Sequence, residues 1–366
     1  MRLRRVSCDR PGWTRRRRGR GWSYLDEKGQ VITDAATLDR LRGLVIPPAW
    51  TNVWICPDAR GHLQAVGTDA AGRRQYLYHP QWREHRDREK HARVLEVARR
   101  LPEARAAVAR ELDTPGLTRS RVLACAFRLL DLGFFRIGGE DYAQETGTFG
   151  LATLRREHVT VHRDGSITFD YVAKSGVERT LRLSDPQVYA VLSALASRER
   201  PGQELLAYAG DDGTWRDVTT ADVNEYVKEH LGDASAKDFR TWHATVLAAM
   251  ALAVSTPTLT SATARKRAVA RAMREVSTYL GNTPAVAKAS YVDPRVVDLF
   301  HDGCTIEPAL REIGEGAPED APGTQGAVED AVLELLTGRR PTAAESLSAE
   351  PAGRTTGGRD ERRRVS

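Results

Sequence analysis

A tyrosine, two arginines, two lysines and an asparagine stand out in this sequence because together they could transfer a phosphoryl group. Tyr291 closes the helical-looking part of LGNTPAVAKASYVDP, nine residues after Asn282. Arg136 follows an apolar segment in FFRIGGEDY, Lys174 sits in YVAKSG, and Lys237 and Arg240 lie three apart in KDFRTW. A phenolic oxygen attacks phosphorus when the charge developing on the phosphorane is neutralised. Guanidinium forks match the non-bridging oxygens of a phosphodiester and stay charged. A lysine has an exchangeable proton and a pKa that falls near other cations, so it can protonate a departing sugar oxygen. An amide such as Asn282 can donate a hydrogen bond to a phosphate oxygen.

Taken singly, each residue also has an ordinary structural explanation. A tyrosine at a helix end packs, an arginine past a core helix pairs with an acid, and a lysine in a hairpin turn is solvated. Arg240 fits such an explanation least well. It sits in the first turns of the most apolar helix, where a buried arginine is costly unless paired and where anions are favoured. The sequence has no metal-ligand cluster and no G-x-x-x-x-G-K-[ST] loop. The predicted chemistry therefore uses no metal, no nucleotide and no cofactor, because a phosphotyrosine link stores the energy of the broken bond.

Composition narrows the partner. The chain has 366 residues, enough for about two domains, with a formal net charge of +6 and a pI near 9.2. The first twenty residues hold nine arginines against one acid, and GRDERRRVS closes the chain. Such runs favour anionic polymers by counterion release, so nucleic acid is the expected partner, with an acidic membrane surface second. Cys8, Cys56, Cys125 and Cys304 are scattered without a C-x-x-C pair, which fits a reducing cytosol rather than a disulfide framework. The apolar run ATVLAAMALAV (244–254) is too short to span a bilayer, and the basic N-terminus lacks the apolar part of a secretory signal. The expectation is a soluble cytoplasmic monomer associated with the nucleoid.

The elements that must position these residues are legible in outline. Residues 1–20 read as a basic, solvated arm. Residues 21–82 carry short β-prone runs split by PDARG and DAAGR, with IPPAW as a rigid connector, and predict a small antiparallel domain. From 83 to 311 the pattern is helical, with a core helix over 120–133 ending at Gly133. Within it, HVTVHRDGSITFDYVAKSGVERTLRL (158–183) alternates like strands around Asp164-Gly165 and Lys174-Ser175-Gly176, predicting an inserted three-stranded sheet. Further helices are expected near 186–198, 220–231, 237–254, 262–280, 284–291 and 294–301. Residues 312–366 read as a disordered tail, except for a helix near 327–336 with Val328, Val332, Leu335 and Leu336 on one face. The fold class is α+β.

The order Arg…Lys…Lys-x-x-Arg…Asn-x8-Tyr, with IPPAW, GRRQYLYHPQWRE, ETGTFGLATL and GNTPAVAKASY around it, resembles the type IB DNA topoisomerases in their compact, poxvirus-like bacterial form. The likeness spans roughly residues 20–305. It implies a β-rich DNA-clamp domain and a helical catalytic domain that close around duplex DNA. It implies Tyr291 as the nucleophile that joins the 3′ phosphate of one strand, with Arg136, Arg240 and Asn282 as the transition-state clamp. Lys174 is then the general acid to the 5′ oxygen, and Lys237 lies near the scissile phosphate. Gln75, Tyr76, Tyr78 and Tyr142 match family positions that touch DNA. The implied activity is relaxation of supercoils by swivelling and religation, without ATP or metal. A tyrosine recombinase shares the chemistry but usually carries His where Lys237 stands and precedes the catalytic domain with a helical bundle. An architectural DNA-binding protein needs the basic surface but not the tyrosine.

Two departures from the viral pattern matter. Asn282 replaces a histidine, which excludes a protonated ring and predicts a weak pH dependence near neutrality. Glu140 and Asp141 replace basic residues that face DNA in the viral relatives. The pyrimidine-rich site preference of those relatives is therefore expected to be weak or altered. A cleavage map on end-labelled duplex DNA tests this, and cutting mainly at the viral consensus would contradict it.

Overall fold

The run TRRRR, expected in a disordered arm, is a strand. β1 (Thr14–Arg18) pairs antiparallel with β2 (Gly21–Leu25), with Arg15 opposite Tyr24. The reason is local. Arg15 Nη1 donates to the carbonyl of Ile46 at 2.8 Å, and Nη2 to those of Pro47 and Trp50 at 2.5 and 3.1 Å. Its guanidinium stacks 4.0 Å from the Trp22 ring centroid. One arginine of the run thus fastens the IPPAW connector, and Trp13 and Arg4 bridge to Ile55 and Gly61. Residues assigned to a separate arm belong to the first of the chain's two compact units, which runs to Ala92.

The computed structural model describes residues 2–198, 203–210, 212–255, 261–314 and 325–338, without the side chains of Asp141 and Tyr142. After β2 the first unit continues with α1 (Ala35–Gly43), a helix capped by Asp34 that the sequence reading left out. A three-stranded antiparallel sheet follows, in the order β3 (Thr51–Ile55), β4 (Leu63–Thr68), β5 (Arg74–Tyr78). Leu41, Val53, Ile55 and Ala65 form its core. The two charged stretches read separately after residue 83 are one helix, α2 (Pro80–Leu112), which passes through Pro102; the unit boundary falls within it.

The second unit is built on α3 (Arg119–Gly133), whose middle is buried on every side from Val122 to Phe127. It ends in left-handed Phe134 (φ 54°), and the chain turns through FRIGG into α4 (Glu140–Thr146). The inserted sheet is present as expected, ordered β6 (Val159–Val161), β7 (Ser166–Ala173), β8 (Val177–Ser184). Its two turns lie where expected, with φ positive at Gly165 (83°), Ser175 (71°) and Gly176 (73°). Then come α5 (Pro186–Ala196) and a short hairpin of β9 (Ala207–Ala209) with β10 (Trp215–Asp217), which the sequence reading missed. Helices α6 (Thr220–Leu231), α7 (Ala236–Ser255), α8 (Ala262–Leu280), α9 (Pro284–Ser290) and α10 (Pro294–His301) follow. Residues 312–314 of the expected tail close α11 (Glu307–Gly314), and α12 (Ala327–Thr337) buries Val328, Val332 and Leu336. The rest of that tail, 315–324 and 339–366, lies outside the described residues. No helix among the described residues is long and apolar enough to cross a membrane.

One close approach shapes the loop that carries Arg136. A Cβ on Gly150 would stand 2.4 Å from Gly138 N, 2.5 Å from Gly138 Cα and 2.7 Å from the Arg136 carbonyl oxygen. That carbonyl accepts from Leu151 N at 2.8 Å, so the two segments are laced together at their tightest point. Because the obstacle is backbone, Gly150→Ala must displace the Arg136 loop. We expect it to cost about 3 kcal/mol of stability in denaturant unfolding. An unchanged midpoint would show that the crossing is not tight.

Candidate active site

The C-terminus of α8 gathers three arginines. The helix closes on left-handed Gly281 (φ 61°), whose N–H turns back to the carbonyls of Ser277 and Thr278. The next three carbonyls in the chain point outward, as helix ends require. Tyr279 O accepts from Arg179 Nη2 at 2.6 Å, Leu280 O from Arg240 Nη2 at 2.8 Å, and Gly281 O from Arg136 Nη2 at 3.1 Å. The negative end of the helix dipole suits all three cations. Arg136 comes from the loop after α3, Arg179 from β8 and Arg240 from α7, so one helix end registers three distant segments. Arg136 Nη2 also donates to Asn282 Oδ1, and Arg240 Nη1 to the carbonyl of Phe134.

None of the three has a carboxylate partner among the described residues, although Arg240 is only 3 % exposed. Burial pulls Arg240 down to about 10, which still leaves it a cation at neutral pH. Burial also lowers Arg179, and Arg136 nearby opposes its charge further. Arg179 Nε, Arg240 Nε and Asn282 Nδ2 are buried donors without an acceptor. Buried donors are nearly always paired, so a cluster of three unpaired ones, beside three cations without a counter-charge, is a site shaped for an anion.

Tyr291 borders this cluster. It follows α9, its N–H capping Ala287 O at 3.1 Å, and its carbonyl lies 3.5 Å from Thr245 Oγ1 of α7. Its ring centroid is 5.2 Å from Arg240 Cζ. Burial would raise the phenol's pKa, but the charge of Arg240, the polar reach of Arg240 and Asn282, and the charge of Arg136 outweigh it. The hydroxyl is held below its ordinary value of 10.

Four of the residues singled out from sequence, Arg136, Arg240, Asn282 and Tyr291, are therefore brought together. Lys174 stands exposed at the tip of the β7–β8 hairpin, and Lys237 is exposed in the first turn of α7. In the first unit, Tyr76 and Tyr78 stack at 6.2 Å on one face of β5, with Arg74 5.7 Å from the Tyr76 centroid. Strand alternation puts Gln75 on the opposite face, where Nε2 donates to Asp69 Oδ2 at 2.9 Å. Tyr142 falls in α4, but its side chain lies outside the described residues. Glu140, read as an acid facing DNA, has its Oε1 on Thr220 N at 2.7 Å, in the first turn of α6. Burial works to raise its carboxyl, but this bond together with those from its own N–H and the Thr220 side chain outweighs burial and holds it below the usual range. The sequence reading missed Arg179. The signal was available: in VERTLRLS it alternates with Leu181 and Leu183, an arginine on the inward face of a strand.

Comparison with known proteins agrees with this architecture. A family model for the catalytic core of eukaryotic DNA topoisomerase I matches residues 79–300, and one for the N-terminal domain of bacterial DNA topoisomerase IB matches residues 21–69. The chain is 30% identical over 286 residues to DNA topoisomerase 1B of Acanthamoeba polyphaga mimivirus, covering 76% of this chain and 84% of the relative. It is 24% identical over 281 residues to DNA topoisomerase 1B of vaccinia virus strain Copenhagen, covering 74% and 84%. Fold and relatives together define a DNA topoisomerase. The chain belongs to the type IB family.

The environment of Tyr291 makes a measurable prediction. Ultraviolet difference titration of the wild type against Tyr291→Phe should show one phenol ionising below 10. Arg240→Gln removes the cation that stabilises the phenolate, so this midpoint should move upward. A midpoint unmoved by Arg240→Gln would refute the coupling.

Proposed function

We propose that this protein relaxes supercoiled duplex DNA by cutting one strand through a 3′-phosphotyrosine and resealing it, with no ATP or metal. The observation that carries this reading is the set of uncompensated arginines and unpaired donors beside a tyrosine of lowered pKa. A phosphodiester is the anion with matching charge and geometry. The Tyr291 oxygen gives its proton to solvent and bonds to phosphorus. Arg136, Arg240 and Asn282 hold the non-bridging oxygens as negative charge builds on them, and the P–O5′ bond breaks. Lys174 at the hairpin tip supplies the proton that the O5′ takes. Because β7–β8 also carries Arg179, hairpin and clamp share one rigid support. Religation is the same sequence reversed: O5′ attacks phosphorus, Lys174 recovers its proton and Tyr291 leaves. Between the two steps the cut strand swivels. Arg179 joins the clamp through the same helix end, and Lys237 lies at its edge.

In the first unit, the Tyr76–Tyr78 pair and Arg74 form an aromatic and basic face suited to DNA, with Gln75 behind it; in the second unit, Tyr142 of α4 is a further DNA contact. Duplex DNA is the partner, and the protein works as a monomer on nucleoid DNA in the cytoplasm.

The deciding experiment is plasmid relaxation in EDTA without ATP. The wild type should relax the plasmid and Tyr291→Phe should not, while both bind DNA; relaxation by the phenylalanine variant would remove Tyr291 from the mechanism. Arg136→Ala and Arg240→Ala should each slow single-turnover cleavage by roughly 10²–10³-fold. Lys174→Ala should lose far less on DNA with a 5′-bridging sulfur, which departs without a proton. An equal loss on both substrates would contradict the general-acid role.

A further inference from the structure

Helix α12 lies beyond residue 300, where the match to the topoisomerase catalytic core ends, yet one of its carboxylates is buried in the second unit. Glu329 is 5 % exposed. It accepts from Arg105 Nη1 at 2.5 Å and Nη2 at 3.0 Å, and from Trp242 Nε1 of α7 at 2.7 Å. Arg105 in turn makes a two-pronged pair with Asp131 of α3, both bonds 2.8 Å. Asp131 Oδ1 lies 3.3 Å from His243 Nε2, and the His243 ring meets Phe134 edge-on at 5.5 Å. Phe134 holds its left-handed turn there, and its carbonyl takes Arg240 Nη1. An unbroken series of contacts thus leads from α12 to Arg240, which stands one helical turn before His243.

The other end of α12 leads to the tyrosine. Leu336 O accepts from Arg295 Nη1 at 3.4 Å, and Arg295 chelates Asp293 through Nε at 3.0 Å and Nη2 at 2.6 Å. Asp293 N donates to Thr245 Oγ1 at 3.1 Å, the hydroxyl that also faces the Tyr291 carbonyl. One short helix therefore touches the supports of both the principal cation and the nucleophile.

We infer that α12 is a brace for the catalytic centre, and that Glu329 is a positioning residue that sets Arg240 through Arg105, Asp131 and the His243–Phe134 contact. Glu329 itself touches no DNA. It gives Arg105 a second carboxylate acceptor beside Asp131, so that the guanidinium plane is held from two sides, and through Trp242 it fixes the rotation of α7. A small displacement of a catalytic group costs rate far more than binding, since the loss falls on the transition state.

The inference rests on the cleavage reading above, and the test separates the two. Full-length Glu329→Gln should form the covalent adduct on a suicide duplex about tenfold more slowly than the wild type. Its equilibrium binding to uncut duplex, measured in the Tyr291→Phe background, should stay within about twofold. Trp242→Phe, which keeps an aromatic side chain but removes the donor along with part of the buried indole, should slow cleavage in the same direction. Leu195→Ala, a buried truncation in α5, supplies a stability-matched control whose cleavage rate should hold. In an Arg240→Lys background the Glu329→Gln change should add less than about twofold, because its path to the phosphate is already altered. A full tenfold loss there, or a loss in Leu195→Ala equal to that in Glu329→Gln, would overturn the inference. So would unaltered cleavage by Glu329→Gln. An absence of covalent adduct in the wild type would overturn the cleavage reading instead.

Discussion

The structure turns on a helix end that has more acceptors than its own chain can fill. Every α-helix leaves its last carbonyls without intrahelical donors, and most meet water or a capping turn. At the end of α8 the αL turn at Gly281 uses two of them, and three arginines take the following three. This arrangement answers two problems at once. It gives the arginines hydrogen-bond partners that fix their planes, and it does so with dipoles instead of full negative charges. The guanidinium charge is thus held in place without being cancelled. Carboxylates would have fixed the arginines equally well and filled the site.

The rest of the second unit shows the opposite treatment of the same residue type. Arg105 and Arg128 share Asp131, and each has a further carboxylate partner, Glu329 for the first and Asp185 for the second. Burial and the Arg105 cation act on Asp131 in opposite directions, and its carboxyl ends well below the normal range. These arginines are structural cement. Those at the α8 terminus remain net positive. The difference lies wholly in whether the acceptor carries a charge, and a few ångströms of sequence-distant packing decide it.

That difference explains what could be read from sequence. Long periodic elements such as 220–231 and 262–280 were legible because their apolar spacing and caps act locally. The inserted sheet was legible because Asp164-Gly165 and the KSG turn admit few other conformations. Arg136, Arg240, Asn282 and Tyr291 were legible through family spacing. The basic N-terminal run was misread, because composition cannot tell a solvated arginine from one stacked on Trp22. The bond that Glu140 accepts from α6 could not be read, since its partner lies eighty residues away. The partnership of Glu329 with Arg105, across 224 residues, leaves no local trace at all.

The arginines bind main chain, and this sets which substitutions the site can absorb. Tyr279 exposes about half its surface while its carbonyl holds Arg179. The side chain there can drift without touching the charge pattern, because the acceptor is common to all residues. Chemical identity at 279 is thus uncoupled from electrostatic identity, whereas Gly281 is constrained twice, by its left-handed φ and by Arg179 Nη1 at 2.8 Å from where a Cβ would go. Variation along this segment would be a poor guide to importance: a position that tolerates change in its letter still contributes an invariant dipole.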